Sequence, residues 1–277
     1  MVDKRINIVY IGADYNVANV LYLDNKFNIK AIICEKLRLT KELILFSEIN
    51  NIKLIYVHNK EHFEEEINKL NHIVNNYMIF NFGIIITKKL LEDNNFFNIH
   101  PASLIINRGR NPIERALIEN HSSLDVSIYK IVEKIDLGEF IDSAKVYIDV
   151  LDDNVSLSYK VNKTIPKLLN SLYLYIINIK SSKSIEQGIY YKPIKEEDFT
   201  IDLYKDSIVD IYNKIRSQKK YSGAILNLNE GKYYITNLKN LYINDNFIVN
   251  IVYKIKESII LVEKEKYIIE LDYNLKN

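Results

Sequence analysis

A chain of 277 residues that is 48% hydrophobic and 26% charged can fold one large and one small domain, and it does not have the composition of a disordered protein. Lysine plus arginine (37) almost cancels aspartate plus glutamate (36). The basic excess of a phosphate-backbone binder is therefore missing, which favours a small-molecule substrate over nucleic acid. The single cysteine, Cys34, excludes an intramolecular disulfide, and in the apolar run 31–34 it reads as a buried small hydrophobe. The first apolar run has no leader-type cleavage site, and no run approaches the roughly 18 apolar residues of a membrane span. The expectation is a cytoplasmic protein with no membrane contact. Glycine (7) and proline (4) are scarce, so each marks a position where a substitute fits poorly.

In chain order, residues 6–11 predict a strand ended by Gly12, followed by a helix over about 16–24 and a strand over 29–34. Thr40 is placed to cap a helix running to about Asn50. A strand at 53–57, a helix near 61–70, a strand at 77–81 and a strand at 96–100 follow. Strands separated by helices of this length need crossover connections, which implies an α/β fold with a doubly wound, mostly parallel sheet. Ligands bind such sheets beyond the carboxyl ends of the strands, where Gly12, Gly83 and His100 fall.

Between 126 and 149 two further β-like runs flank the turn Asp136-Leu137-Gly138. A helix over about 155–179 carries Pro166 near its middle as a kink. The polar stretch 180–188 sets the expected boundary between a domain of residues 1–185 and a smaller β-rich domain of 186–277. There a helix over about 203–217 precedes β-like runs at 232–236, 247–255, 258–262 and 266–271, which suggest a small antiparallel, barrel-like unit.

Asn98 and His100 stand two positions apart at the end of a predicted strand, so both side chains face the same side. An amide donor beside an imidazole suits stabilisation of an oxygen gaining negative charge, together with proton transfer. Asp136, in a turn that Gly138 lets close tightly, would orient and charge the imidazole. By spacing alone Asn-x-His is common. The competing readings are His100 as a cap or carbonyl partner and Asp136 as an ordinary turn residue. His58, His62, His72 and His121 show no metal-ligand spacing, and no metal is expected.

The stretch 97–119, with Asn98-Ile99-His100-Pro101 and then Arg108-Gly109-Arg110-Asn111-Pro112, resembles the signature of the folate-dependent formyltransferases. The segment Ile135-Asp136-Leu137-Gly138-Glu139-Phe140-Ile141 resembles that family's later Asp element. The resemblance covers residues 5–150 well and 188–230 weakly. It implies N10-formyltetrahydrofolate as donor, with an N5-formyl analogue able to occupy the same place, and Asn98, His100 and Asp136 as the catalytic trio. The run Phe80 to Ile85 resembles the pterin-facing loop, which implies cofactor contacts from Phe82, Gly83, Ile84, Ile85 and Asp136. Three departures stand out. Arg115 replaces a frequent Trp, Asp125-Val126-Ser127-Ile128-Tyr129 replaces Gly-x-Thr-x-His, and the second proline of the signature is lost near Ile106.

Among the family's acceptors, nucleotide-linked amino sugars of surface-glycan synthesis match the length and charge balance best, with a thymidine diphosphate (dTDP) carrier favoured. Methionyl-tRNA and a non-catalytic folate or nucleotide binder are the alternatives. Arg108, Gly109, Asn111 and Pro112 are then implied as substrate residues, with Arg216 meeting the diphosphate and Tyr221 stacking on the base. The resemblance also implies a homodimer.

Overall fold

The computed structural model of the protein describes residues 5–106, 108–133, 138–185 and 187–275, without the side chains of 245–250. In chain order the elements are β1 (Ile6–Ile11), α1 (Tyr15–Leu23), β2 (Phe27–Glu35), α2 (Lys41–Ile49), β3 (Lys53–Val57), α3 (Lys60–Leu70), β4 (Asn76–Phe80), α4 (Lys88–Asp93), β5 (Asn95–His100), β6 (Arg108–Gly109) and α5 (Pro112–Ile118). They continue with β7 (Ser123–Ile131), β8 (Gly138–Tyr147), α6 (Asn154–Asn162), α7 (Ile165–Ile176), β9 (Lys183–Ile185), β10 (Tyr190–Tyr191), β11 (Thr200–Ile201), α8 (Ile208–Ser217), β12 (Ala224–Leu228), β13 (Gly231–Ile255) and β14 (Ile259–Asn274).

The architecture is α/β, with a large, mostly parallel sheet and a separate β-rich sheet near the carboxyl end. The large sheet has the order β3-β2-β1-β4-β5-β7-β8-β9; β1 to β5 are parallel to one another, and β7 runs antiparallel to β5. Ile8 to Ile11 and Ala31 to Cys34 are fully buried. Strands covered on both faces read as unbroken apolar runs, which is why they stand out in the sequence. Thr40 Oγ accepts the Leu43 N–H at 3.3 Å and starts α2 as expected. On α3, Phe63, Ile67 and Leu70 recur at helical spacing and join Val9, Ile55 and Tyr77 in one apolar cluster.

The expected single helix over 155–179 is two helices. Pro166 stands in the first turn of α7, where its missing N–H leaves no bond unmade, and the break precedes it at 163–164.

The residues group into two units. One comprises 1–108, 125–146 and 161–190, and the other 109–124, 147–160 and 191–277. A single boundary near 185 does not describe this division, because two earlier segments belong with the carboxyl-terminal residues. In the second unit Ser207 Oγ accepts the Asp210 N–H at 3.1 Å while the Asp210 carboxylate accepts the Ser207 N–H at 2.9 Å. This capping box starts α8 five residues later than expected.

The four runs expected beyond 231 are two long antiparallel strands, β13 and β14, in a four-stranded sheet of linear order β11-β12-β13-β14. Register shifts between Ile235 and Asn237, Leu238 and Asn240, and Ile243 and Ile248 break the two-residue alternation. Bulged strands therefore look like short, separate ones in sequence. Ile211, Ile215, Leu226, Ile235, Val262 and Ile269 form the core of this unit.

Candidate active site

β5 carries both polar side chains expected at the site. Phe96, Phe97 and Ile99 are buried and fix the strand between β4, paired as Ile79 with Asn98, and β7, paired as Asn98 with Tyr129 and His100 with Ser127. The two-residue period then puts Asn98 and His100 on one face at the carboxyl end of the strand. Asn98 is half-buried and His100 is buried. Asn98 Nδ2 donates to Tyr129 Oη at 2.9 Å across the strand pair. Ser127 Oγ donates to the Ala102 carbonyl at 2.7 Å, tying down the chain just beyond His100. Asp136 lies outside the described residues. β7 ends at Ile131 and β8 opens at Gly138, next to it in the sheet order. A side chain at Gly138 would run into the Lys130 carbonyl, which accounts for the glycine.

The strand order reverses between β1 and β4, where an open α/β sheet forms its crevice. A side chain at Gly12 would meet the Phe80 carbonyl and come within 2.6 Å of Tyr10 Oη. Beside it the Asp14 carboxylate accepts the Asn16 and Val17 N–H groups at 2.8 and 3.3 Å, and Asn162 Nδ2 at 3.3 Å. The positive end of α1 is thus already matched by a carboxylate of the chain itself, which does not leave it as a phosphate site. Tyr10 Oη donates to the Asp14 carbonyl at 3.1 Å. Burial first, then the Asp14 charge, pushes its pKa well above the usual phenol value, so it stays a neutral donor.

Residues 81–87, between β4 and α4, belong to no helix or strand, so ladder pairing does not consume their backbone groups. Phe82 packs on Phe63 with ring centroids 5.1 Å apart, and Phe82 and Ile84 pack on the apolar cluster of the first unit. Ile85 is exposed. The Gly83 N–H donates to Glu35 Oε2 at 3.2 Å, and a Cβ on Gly83 would lie 2.8 Å from Glu35 Oε1. Gly83 therefore makes room for this carboxylate. Arg38 completes the set: its Nη1 donates to the Asn81 carbonyl at 2.6 Å and to Asn81 Oδ1 at 3.1 Å.

The residues expected to bind substrate divide in their roles. In the first unit Arg108 Nη2 donates to the Gly188 carbonyl, and the Arg108 N–H donates to the Ile189 carbonyl at 3.0 Å. In the second unit Gly109 and Asn111 take positive φ of 111° and 59°, and Pro112 opens α5 in the turn that suits its fixed φ. Tyr221 Oη donates to Glu114 Oε1 at 2.8 Å, and half of the Tyr221 side chain is exposed.

Arg216 departs from its expected role. It is only 6% exposed; its Nε donates to Asn213 Oδ1 at 2.9 Å, and its Nη1 to the carbonyls of Asp149 and Asp152 at 3.1 and 3.2 Å. Its Nη2 reaches Asn120 Oδ1 at 3.3 Å. These bonds make it a clamp between α8 and the 149–152 turn. Arg115, which stands where the family often has Trp, lies over the Tyr191 ring at 4.9 Å and donates to the Lys192 carbonyl at 3.0 Å.

Sequence reasoning placed Tyr129 on a strand without a role and passed over Glu35 and Arg38. Their only signal was position at the carboxyl ends of strands next to the site. A cleft of about 630 Å³, lined by Asn76, Asn95, Phe97, Lys130, Tyr175 and Lys180 among others, opens at the amino ends of β4 and β5, the opposite end from Asn98 and His100. Among the described residues no helix is long and apolar enough to cross a membrane.

The sequence profile described as formyl transferase matches residues 14–172. The methionyl-tRNA formyltransferase of Caldicellulosiruptor saccharolyticus is 28% identical over 96% of this chain and 91% of its own. Among solved structures, WlaRD, a sugar 3N-formyl transferase determined in the presence of dTDP and 5-N-formyl-THF, superposes with a TM-score of 0.65. It is 19% identical, over 98% of this chain and 99% of its own. A sugar N-formyltransferase from a Shewanella species gives a TM-score of 0.66 at 18% identity, over 84% of this chain and 97% of that one. The profile spans more than half of the 277 residues and includes Asn98, His100 and the 81–87 turn, so the chain belongs to the formyl transferase family.

Proposed function

We propose that this chain moves a formyl group from N10-formyltetrahydrofolate to the amino group of an amino deoxysugar carried on a nucleoside diphosphate, with dTDP the favoured carrier. The observation that carries the reading is the placing of Asn98 and His100 on one face at the carboxyl end of β5, one strand away from the turn 81–87. That turn suits a pterin, whose edge of alternating donors and acceptors can pair with backbone groups not committed to a ladder. When bound, the folate supplies the formyl carbon and N10 as the leaving nitrogen.

Asn98 Nδ2 has two hydrogens. One is held by Tyr129, and the other is directed at the formyl oxygen as it gains negative charge. His100 takes the proton from the attacking amine and delivers it to N10, so the new C–N bond forms as the old one breaks without net proton change. Asp136 is assigned the role of orienting His100 and favouring its charged form. The sugar acceptor is supported by the near-zero net charge and by the full-length likeness to WlaRD. Methionyl-tRNA is the second reading, favoured by the identity to the Caldicellulosiruptor enzyme. We also infer a homodimer and a cytoplasmic location, on the family resemblance.

The test is folate-dependent formylation of a panel of dTDP- and GDP-linked 3-amino and 4-amino deoxyhexoses beside methionyl initiator tRNA. Turnover on a nucleotide sugar is expected, and formylation of the tRNA alone would sink the sugar reading. His100→Asn and Asp136→Asn should each lower kcat by about 10²-fold or more while melting like the wild type. Near-wild-type rates would overturn the assigned roles.

A further inference from the structure

We propose that Glu35 and Arg38 are positioning residues that hold the Asn81–Gly83 turn in its pterin-accepting shape and thereby set the affinity for the folate donor; this rests on the function proposed above. β2 and β4 lie on opposite sides of β1. A link between the segment that follows β2 and the segment that follows β4 must therefore pass across the carboxyl end of β1, at the point where the strand order reverses. Glu35 and Arg38 make that link.

Arg38 holds the Asn81 carbonyl and side-chain oxygen at 2.6 and 3.1 Å, Glu35 accepts the Gly83 N–H at 3.2 Å, and Arg38 Nε lies 3.4 Å from Glu35 Oε2. Asn81 sits in the left-handed region with φ of 53°, a conformation that costs a residue with a side chain free energy unless its surroundings impose it. The Arg38 clamp imposes it, because one guanidinium nitrogen meets both the carbonyl and the side-chain oxygen of that residue. On the far side Phe82 and Ile84 are anchored in the apolar cluster. The turn is thus gripped by its side chains from within and by the charged pair from outside. The backbone is left in one fixed shape beside Asn98.

Both charged side chains are partly exposed, at 23% for Glu35 and 44% for Arg38. Such a pair adds little to global stability, so conservation of the fold does not require it. Its effect falls on the population of the binding-competent turn. If removing the clamp lowers that population to about a tenth, the apparent dissociation constant rises about tenfold.

The experiment compares wild type, Arg38→Met, Arg38→Lys and Glu35→Gln by calorimetric titration with tetrahydrofolate, by melting, and by steady-state kinetics with N10-formyltetrahydrofolate. Arg38→Met is expected to weaken tetrahydrofolate binding and raise the folate KM by about tenfold. The acceptor KM, kcat at saturating folate and the melting temperature should hardly move. Arg38→Lys, which keeps the charge but not the planar fork, should fall between the two. Glu35→Gln keeps an acceptor for the Gly83 N–H and should lose only about two- to threefold. Unchanged folate affinity in Arg38→Met, with or without a lower melting temperature, overturns the proposal. A wild-type protein that does not bind tetrahydrofolate at all overturns the function on which it rests.

Discussion

Arg216→Ala separates a structural clamp from a substrate ligand. The guanidinium is 6% exposed and makes three bonds of 3.2 Å or less, to Asn213 Oδ1 and to the carbonyls of Asp149 and Asp152. Truncation removes the partner of these partly to fully buried acceptors, at a cost of about 1 to 1.5 kcal/mol for each bond lost, or roughly 3 to 4.5 kcal/mol in all. For a protein of this size that corresponds to a fall of about 6 to 12 °C in the melting temperature of the cooperative transition to which the second unit contributes. The assay is urea and thermal unfolding followed by circular dichroism, run beside steady-state kinetics. Arg216→Lys is the second arm. A lysine keeps a point charge for a diphosphate but cannot reproduce a fork that reaches three acceptors. The clamp therefore predicts that Lys destabilises nearly as much as Ala. Unchanged unfolding in both variants, with a KM for the nucleotide sugar raised in Ala and rescued in Lys, would refute this reasoning and restore the diphosphate role.

Tyr129→Phe removes the oxygen that takes one hydrogen of the Asn98 amide at 2.9 Å. It should lower kcat about tenfold with little change in the folate KM, as measured by initial rates at saturating acceptor, because the amide loses its orienting partner and not its own donor. Acid should act on the first unit through Asp142. Burial works to raise its pKa, but hydrogen bonds from Lys180, Ser171 and the Ser143 N–H outweigh it and hold the carboxyl below its ordinary value. A depressed pKa contributes stability that is complete above the unfolded value, about 3.9, and is lost as pH falls through the folded one. Melting curves between pH 7 and pH 2 should show wild type and Asp142→Asn converging only below about pH 4; a gap constant across that range would contradict the assignment.

Most of the first unit was legible because its strands are buried on both faces. Ile8 to Ile11 and Ala31 to Cys34 admit no other comfortable environment, and Thr40 announces the start of α2. Asn98 and His100 were readable because a strand's two-residue period is local. What was not legible depends on register or on distant burial. Nothing near Tyr129 says that it stands opposite Asn98, and nothing near Glu35 says that Gly83 approaches it from 48 residues away. Arg216 looks the same in sequence whether it meets a phosphate or the carbonyls of Asp149 and Asp152. The β13–β14 hairpin was divided into four because its bulges reset the alternation on which strand reading depends. Pro166 was read as a kink because the sequence alone does not say whether a proline interrupts a helix or begins one.

The second unit draws on residues 109–124, 147–160 and 191–277, and the first on 125–146 and 161–190 as well as its opening stretch. On a ribosome that releases the chain from its amino end, neither body can be finished and set aside before the other begins. The strip 109–124, with Ala116 and Leu117 wholly buried in the finished protein, must wait through about a third of synthesis for α8 to arrive. A gene cut near codon 185 would leave those residues without their covering helix, so the two halves are better coexpressed and reassembled than produced as separate domains.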